Sequence, residues 1–277
     1  MPGDRYLPDD VAAVIRSRWP GRGTRWAETV ESELADLCER YAARPTAVMR
    51  SRYSLVVAVE TNDRRHLVFR ASPDPGGRHQ HIVSATLANL GVGPTVHEVT
   101  ETTTGTWTIV DRIQPGTPVG DMNWSEINPA AIGAALRPLG GQPAPDPDLP
   151  SVYDWLRERL LAGDALTDLA PSAGQPAPSP ERERALAVLD DLASDRRADL
   201  CHGDASPRNL LVGNGARVLL IDPRGVSGEV EYDLAVVALK ATRFLPPAES
   251  VPDLAALVGV NPDRVRAWLE IASVARV

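Results

Sequence analysis

Residues 200–222 read LCHGDASPRNLLVGNGARVLLID. Two short apolar runs, NLLV and RVLLID, flank GNGA, whose Asn214-Gly215 pair suits the positive φ of a type I′ turn, so the segment predicts a β-hairpin. Antiparallel pairing brings the outer ends of the two strands together. Asn209, opening the first strand, then faces Asp222, closing the second, with Asp204 on the loop just before. Carboxylates crowded in this way are costly unless something pairs with them. The bland alternative is a capped hairpin, since Asp and Asn favour turns for local reasons. The sharper one is chemical. Oxygen-only ligands suit a hard, small cation such as Mg2+, completed by water and phosphates, whereas zinc would want thiolate or imidazole. An aspartate left off the metal is free to orient a hydroxyl and accept its proton, a division of labour that belongs to phosphoryl transfer.

Outward from the motif, the chain divides by its hydrophobic period. Val11, Val14, Ile15 and Trp19, then Trp26, Val30, Leu34, Leu37 and Tyr41, recur at helical spacing and predict helices over 8–19 and 25–42. SLVVAVETNDRRHLVFRAS predicts a hairpin turning at Asn62 and Asp63, HQHIVSATLANLGVG a helix stopping at Gly91, and VHEVTETTTGTWTIVDRI a second hairpin turning at Gly105. QPGTPVGD, at 114–121, is a Gly/Pro-rich hinge candidate. Beyond it EINPAAIGAALRPL, VYDWLRERLLAG and ERERALAVLDDLAS predict helices. After the opening motif come a short hairpin, an apolar helix (YDLAVVALKATRFL) and a last helix with Asn261 as cap and Pro262 in its first turn. A mostly β front (1–113) and a mostly helical back (114–277) describe an α+β chain of two lobes closing on a cleft.

Bulk properties narrow the partners. With 29 basic against 37 acidic residues the net charge is -8, which argues against nucleic acid and tolerates a cationic small molecule or a metal. No apolar run is long enough to span a membrane, and MPGDRYLPDD is too acidic for a signal peptide, so a cytoplasmic protein is expected. Cys38 and Cys201 read as separate buried thiols, in keeping with a reducing compartment. Lys240 is the only lysine among the 29 basic residues, so chemistry that calls for a lysine is expected to do without one.

His202-Gly203-Asp204 with Asn209, Ile221-Asp222-Pro223-Arg224-Gly225 and Tyr232-Asp233-Leu234-Ala235 together resemble the aminoglycoside phosphotransferase family, relatives of the protein kinases. The IDPRG and YDLA forms are similar to the streptomycin and hydroxyurea resistance kinases, and GRGTRWAETVESELADLCERY looks like their N-terminal helices. The resemblance implies a bilobal protein-kinase-like fold, with a small mainly β N-terminal lobe carrying extra helices and a larger helical C-terminal lobe. It implies ATP or GTP bound between the lobes as donor and a small hydroxylated molecule as acceptor. Asp204 is then the catalytic aspartate, and Asn209 and Asp222 hold Mg2+. Asp233 supports the catalytic loop, and His202 reads as a packing histidine. Asp111, Arg112 and Ile113 meet the base beside Val110, and Ser51 to Ser54 lie over the phosphates. Two departures stand out. Arg70 in LVFRAS occupies the place of the phosphate-binding lysine, and RHQHIV (78–83) has no glutamate to partner it; Gln80 and His81 are the nearest substitutes.

Glu229 and Glu231 read either as attractors of a cationic substrate or as solvated surface charges, and Asp154, Asp164 and Asp168 as surface charges. The functional expectation is an antibiotic O-phosphotransferase. A metabolic kinase of the choline or amino-sugar type is the first alternative. A nucleotide-binding pseudokinase, suggested by the missing lysine and glutamate, is the second.

Overall fold

The computed structural model describes residues 5–163, 175–241 and 247–277; Asp164 and Asp168 lie outside them. The chain forms two compact units, residues 1–81 with 94–112 and residues 82–93 with 113–277.

The first unit opens with α1 (Asp9–Arg18) and α2 (Arg22–Arg40), the two helices that the apolar spacing predicts. Five antiparallel strands follow: β1 (Ala43–Val48), β2 (Leu55–Thr61), β3 (His66–Ser72), β4 (Val96–Glu101) and β5 (Thr106–Asp111), in the order β1-β2-β3-β5-β4. Strand alternation sorts the sheet by face. Leu55, Val57 and Val59 pair with Ala71, Phe69 and Leu67, and Ile109 and Trp107 continue these rows. All are buried in one cluster with Ile15, Trp26, Val30 and Leu34 of the helices. The opposite face carries the rows Val56, Arg70, Thr108 and Ala58, Val68, Val110. Strand β1 has no counterpart in the sequence reading. As an edge strand with one side mostly exposed, its ARPTAV shows no apolar alternation.

The second unit holds the rear of α3 (Gly77–Asn89), then β6 (Pro115–Pro118), α4 (Pro129–Leu136), α5 (Val152–Ala162), α6 (Ser179–Ala193), β7 (Asp199–Cys201), β8 (Leu210–Gly213), β9 (Val218–Leu220), β10 (Val226–Gly228), α7 (Val230–Lys240), α8 (Pro247–Val258) and α9 (Pro262–Val274). Asn261 caps α9 by accepting from the Asp263 amide, as its sequence signal indicates. The 114–121 segment is a short strand and a turn, with β6 pairing β8. Val226–Gly228 pairs with β7 and forms no local hairpin. Helix α8, which begins at Pro247 and contains Pro252, has no counterpart in the sequence reading. Residues 230–238 of α7 are all buried, the pattern of a helix packed on every side.

Candidate active site

The hairpin of the opening motif forms, with Leu210, Leu211 and Val212 opposite Leu220, Leu219 and Val218. Its turn differs from the expectation. Positive φ falls on Gly215 and Ala216, and the Gly213 amide donates to the Arg217 carbonyl, so the loop is longer than a two-residue type I′ turn. The strand ends nevertheless meet: the Ile221 amide donates to the Asn209 carbonyl at 3.0 Å, so Asn209 stands opposite Ile221 and not opposite Asp222, which is the next residue along. Asp222 has φ 55°, a left-handed conformation that a non-glycine residue holds only where its surroundings over-determine it.

The loop 202–209 is pinned from three directions. Fully buried Asp233, in the first turn of α7, accepts the amides of His202 and Gly203 at 2.8 Å each and the Cys201 thiol at 3.6 Å. Burial raises the Asp233 pKa, and the donors around it, led by His202, counter that rise. His202, fully buried, gives its Nε2 to the Ile221 carbonyl at 2.9 Å and its Nδ1 to the Asp204 amide at 3.3 Å. Since an amide can only donate, Nδ1 is the acceptor and Nε2 carries the proton. Finally, Asn209 Nδ2 donates to the Asp204 carbonyl at 2.9 Å, which closes the loop on itself. Gly203, at φ 79°, fits because it lacks a side chain: a Cβ there would stand 2.5 Å from Val226 Cγ2.

The sole lysine reaches this loop, a contact the sequence reading did not foresee. Lys240 Nζ lies 3.1 Å from Asp204 Oδ1. Burial acts to raise the Asp204 pKa, but Lys240 and then Arg224 outweigh it and hold the carboxyl below its ordinary range. Arg224 donates to the Gly203 carbonyl at 3.2 Å and stacks 4.3 Å over the Trp155 ring. Neither cation was assigned a role from sequence. The one sequence feature of Lys240 is its being the only lysine, which by itself does not tie it to Asp204.

The donor set at the strand ends fits a hard cation. Because Asn209 spends its amide nitrogen on the Asp204 carbonyl, its side-chain oxygen is the atom left to accept or to ligate. Among the described residues no group of three or more His, Cys, Asp or Glu is placed to hold a metal ion.

Other expected site residues lie in the first unit. Arg70 Nη2 donates to Gln80 Oε1 at 3.3 Å, and Gln80 Nε2 in turn reaches Asp74 Oδ2 at 3.3 Å. His81 is buried and bonds Thr108 Oγ1 through Nδ1 at 2.8 Å. Ser51 and Ser54 hydroxyls are 2.6 Å apart on the β1–β2 connection. The amides of Asp111 and Arg112 are spent on the Thr95 and His66 carbonyls, and the Asp111 carboxylate on His97 at 2.6 Å. Those two amides do not offer themselves to a base.

Glu229 and Glu231 require a correction. They are 1% and 4% exposed, so they are neither substrate-facing nor solvated. Glu229 accepts from Trp268 Nε1 (2.6 Å), Tyr153 Oη (2.8 Å) and Arg264 Nε (2.5 Å), and Glu231 from Arg197 Nη1 (3.1 Å). Asp154 does sit at the surface, paired with Arg196 at 2.6 Å.

The sequence profile of the phosphotransferase enzyme family matches residues 48–268. No curated protein matches the sequence significantly. Solved structures with a similar fold include an aminoglycoside phosphotransferase of Streptomyces rimosus in complex with ADP and streptomycin, at 17% identity, over 89% of this chain and 98% of that one, with a TM-score of 0.61. A choline/ethanolamine kinase family protein of Mesorhizobium loti matches at 18% identity, 89% and 83% coverage and a TM-score of 0.65. A macrolide 2'-phosphotransferase of Brachybacterium faecium matches at 19%, 86% and 88%, and 0.56. The fold is the α+β, protein-kinase-like one. Among the described residues no helix is long and apolar enough to cross a membrane.

Proposed function

Since the chain belongs to the phosphotransferase enzyme family and is a small-molecule kinase, we propose that it moves the γ-phosphate of ATP or GTP to a hydroxyl of a small polar antibiotic, aminoglycoside-like or nucleoside-like, and so confers resistance. The cytoplasm, where these nucleotides are made, is its place in this reading. The observation that carries the proposal is Asp204 itself: a carboxylate on a loop pinned by Asp233 and His202 and closed by the Asn209 side chain on the Asp204 carbonyl.

In this reading Asp204 accepts a hydrogen bond from the acceptor hydroxyl and aims its oxygen at the γ-phosphorus. The new oxygen–phosphorus bond forms as the bond to the leaving nucleoside diphosphate breaks, and the hydroxyl proton passes to Asp204. Asn209 and Asp222 would hold Mg2+, which supplies charge neutralisation on the phosphates. Arg70, oriented by Gln80, offers a planar fork to the remaining phosphate charge. Ser51 and Ser54 cover the phosphates, Val110 lines the base pocket, and backbone groups of Asp111 to Ile113 other than the two spent amides meet the base. Most of the acceleration comes from positioning and electrostatics.

The likeness to a choline/ethanolamine kinase family protein supports a second reading, in which the acceptor is a metabolic alcohol. Phosphate transfer from ATP and GTP, with Mg2+, to a panel of aminoglycoside, tuberactinomycin and nucleoside antibiotics beside choline and amino sugars decides between them. Resistance in a sensitive host supports the first reading; turnover of the metabolites alone supports the second. Asp204→Ala should keep nucleotide binding and lower turnover by roughly two to four orders of magnitude. Undiminished turnover removes Asp204 from the mechanism.

A further inference from the structure

Helix α7 touches the loop 202–209 twice. Asp233 and Lys240 are seven residues apart, two turns of helix, and so stand on one face about 10 Å from each other along the axis. The first takes the backbone amides of His202 and Gly203; the second reaches the side chain of Asp204. Asp204 Oδ1 is the atom Lys240 holds, and among the described residues Oδ2 takes no hydrogen bond. The two side chains are 31% and 28% exposed, so a third molecule can reach the pair. An ion pair this open contributes little to folding. Yet it engages the one lysine of a chain whose other basic residues are all arginine. Arginine presents a planar fork that tends to take both oxygens of a carboxylate, whereas an ammonium is a compact charge that can bind one oxygen and leave the other.

We propose that Lys240 is a positioning residue for the transfer step, holding Oδ1 so that Oδ2 of Asp204 is the oxygen presented to the acceptor hydroxyl. The proposal rests on the reading of Asp204 as the residue that receives the hydroxyl. Arg224 and His202 also adjoin Asp204, but through the loop backbone: Arg224 bonds the Gly203 carbonyl and His202 the Asp204 amide. Lys240 alone among the described residues bonds the carboxylate.

The test is a double-mutant cycle on the full chain with Lys240→Gln, Asp204→Asn and the pair, with Lys240→Arg as the conservative variant. MgATP turnover is measured with water as the acceptor and with streptomycin and choline as hydroxyl probes. Lys240→Gln should lower kcat about tenfold, a part of what a positioned base supplies, and leave KM for MgATP and the melting temperature unchanged. Lys240→Arg should recover part of the loss. In the Asp204→Asn background Lys240→Gln should cost nothing further. A single lysine also gives a single side-chain ammonium signal in 15N-lysine-labelled protein, which Asp204→Asn should shift. Unchanged kcat in Lys240→Gln, an equal loss in both backgrounds, or an unmoved ammonium signal overturns the inference. Full turnover in Asp204→Asn alone is a different result, the failure of the Asp204 reading itself.

Discussion

His81 illustrates how much a single buried side chain adds beyond the motif residues. Its imidazole is enclosed against Thr108 and Arg70, its Nε2 has no partner among the described residues, and burial followed by the Arg70 charge pushes its pKa down to about 4. In the unfolded chain the same ring titrates near 6.5. The unfolded state therefore binds the extra proton between these values, and the stability His81 contributes is complete above pH 6.5 and lost as the pH falls toward 4. The loss across that window should be on the order of 3 kcal/mol. Chemical denaturation at pH 7.5 and pH 5 should show it in the wild type and show much less of it in His81→Asn. Equal pH dependence in both proteins would mean that another group is responsible. The residue identities at the 202–209 loop were legible because each stands in a short stretch with its own local logic. Lys240 was not, because nothing within a few residues of it refers to Asp204.

At the scale of elements, the loop between β7 and β8 depends on α7 for its shape. Asp233→Ala leaves two buried amides without acceptors, at about 1–3 kcal/mol each. A lowered urea midpoint is expected together with a loss of turnover, since Asp204 follows the anchored residues directly. A midpoint equal to the wild type would show that water or another carbonyl replaces the carboxylate. Gly203→Ala should act on the same loop by a different route, forcing a Cβ to 2.5 Å from Val226 Cγ2 in a left-handed backbone. Elements with strong periods, α1, α2, β2, β3, β5 and α7, could be read from sequence because the apolar face repeats at their own geometry. β1, α8 and the pairing of β10 with β7 could not. β1 carries a proline and mostly exposed residues, α8 carries two prolines, and β10 is three residues long with its partner β7 well before it in the chain.

Across the whole molecule each unit has its own hydrophobic cluster, one around Trp26, Phe69 and Trp107 and one around Tyr153, Tyr232 and Trp268. Within the second, Glu229 joins residues from Tyr153 of α5 to Arg264 and Trp268 of α9. Removing it leaves the buried Trp268 Nε1 and Tyr153 hydroxyl without their acceptor while Arg264 keeps Asp195, so Glu229→Ala should destabilise by about 1–3 kcal/mol for each donor left unpaired. The KM of whichever acceptor the enzyme uses should stay as it was. A raised KM with unchanged stability would restore the idea that this glutamate faces the substrate. By itself the sequence determined the α+β class and the hairpin that carries Asp204, Asn209 and Asp222 at or just outside its strand ends, because local spacing fixes which residues lie near a strand end. Only the tertiary structure decided that Lys240 stands on Asp204, that Gln80 serves Arg70, and that Glu229 and Glu231 are buried. Charge–charge contacts between distant segments depend on how helices and strands pack, and sequence spacing does not encode that.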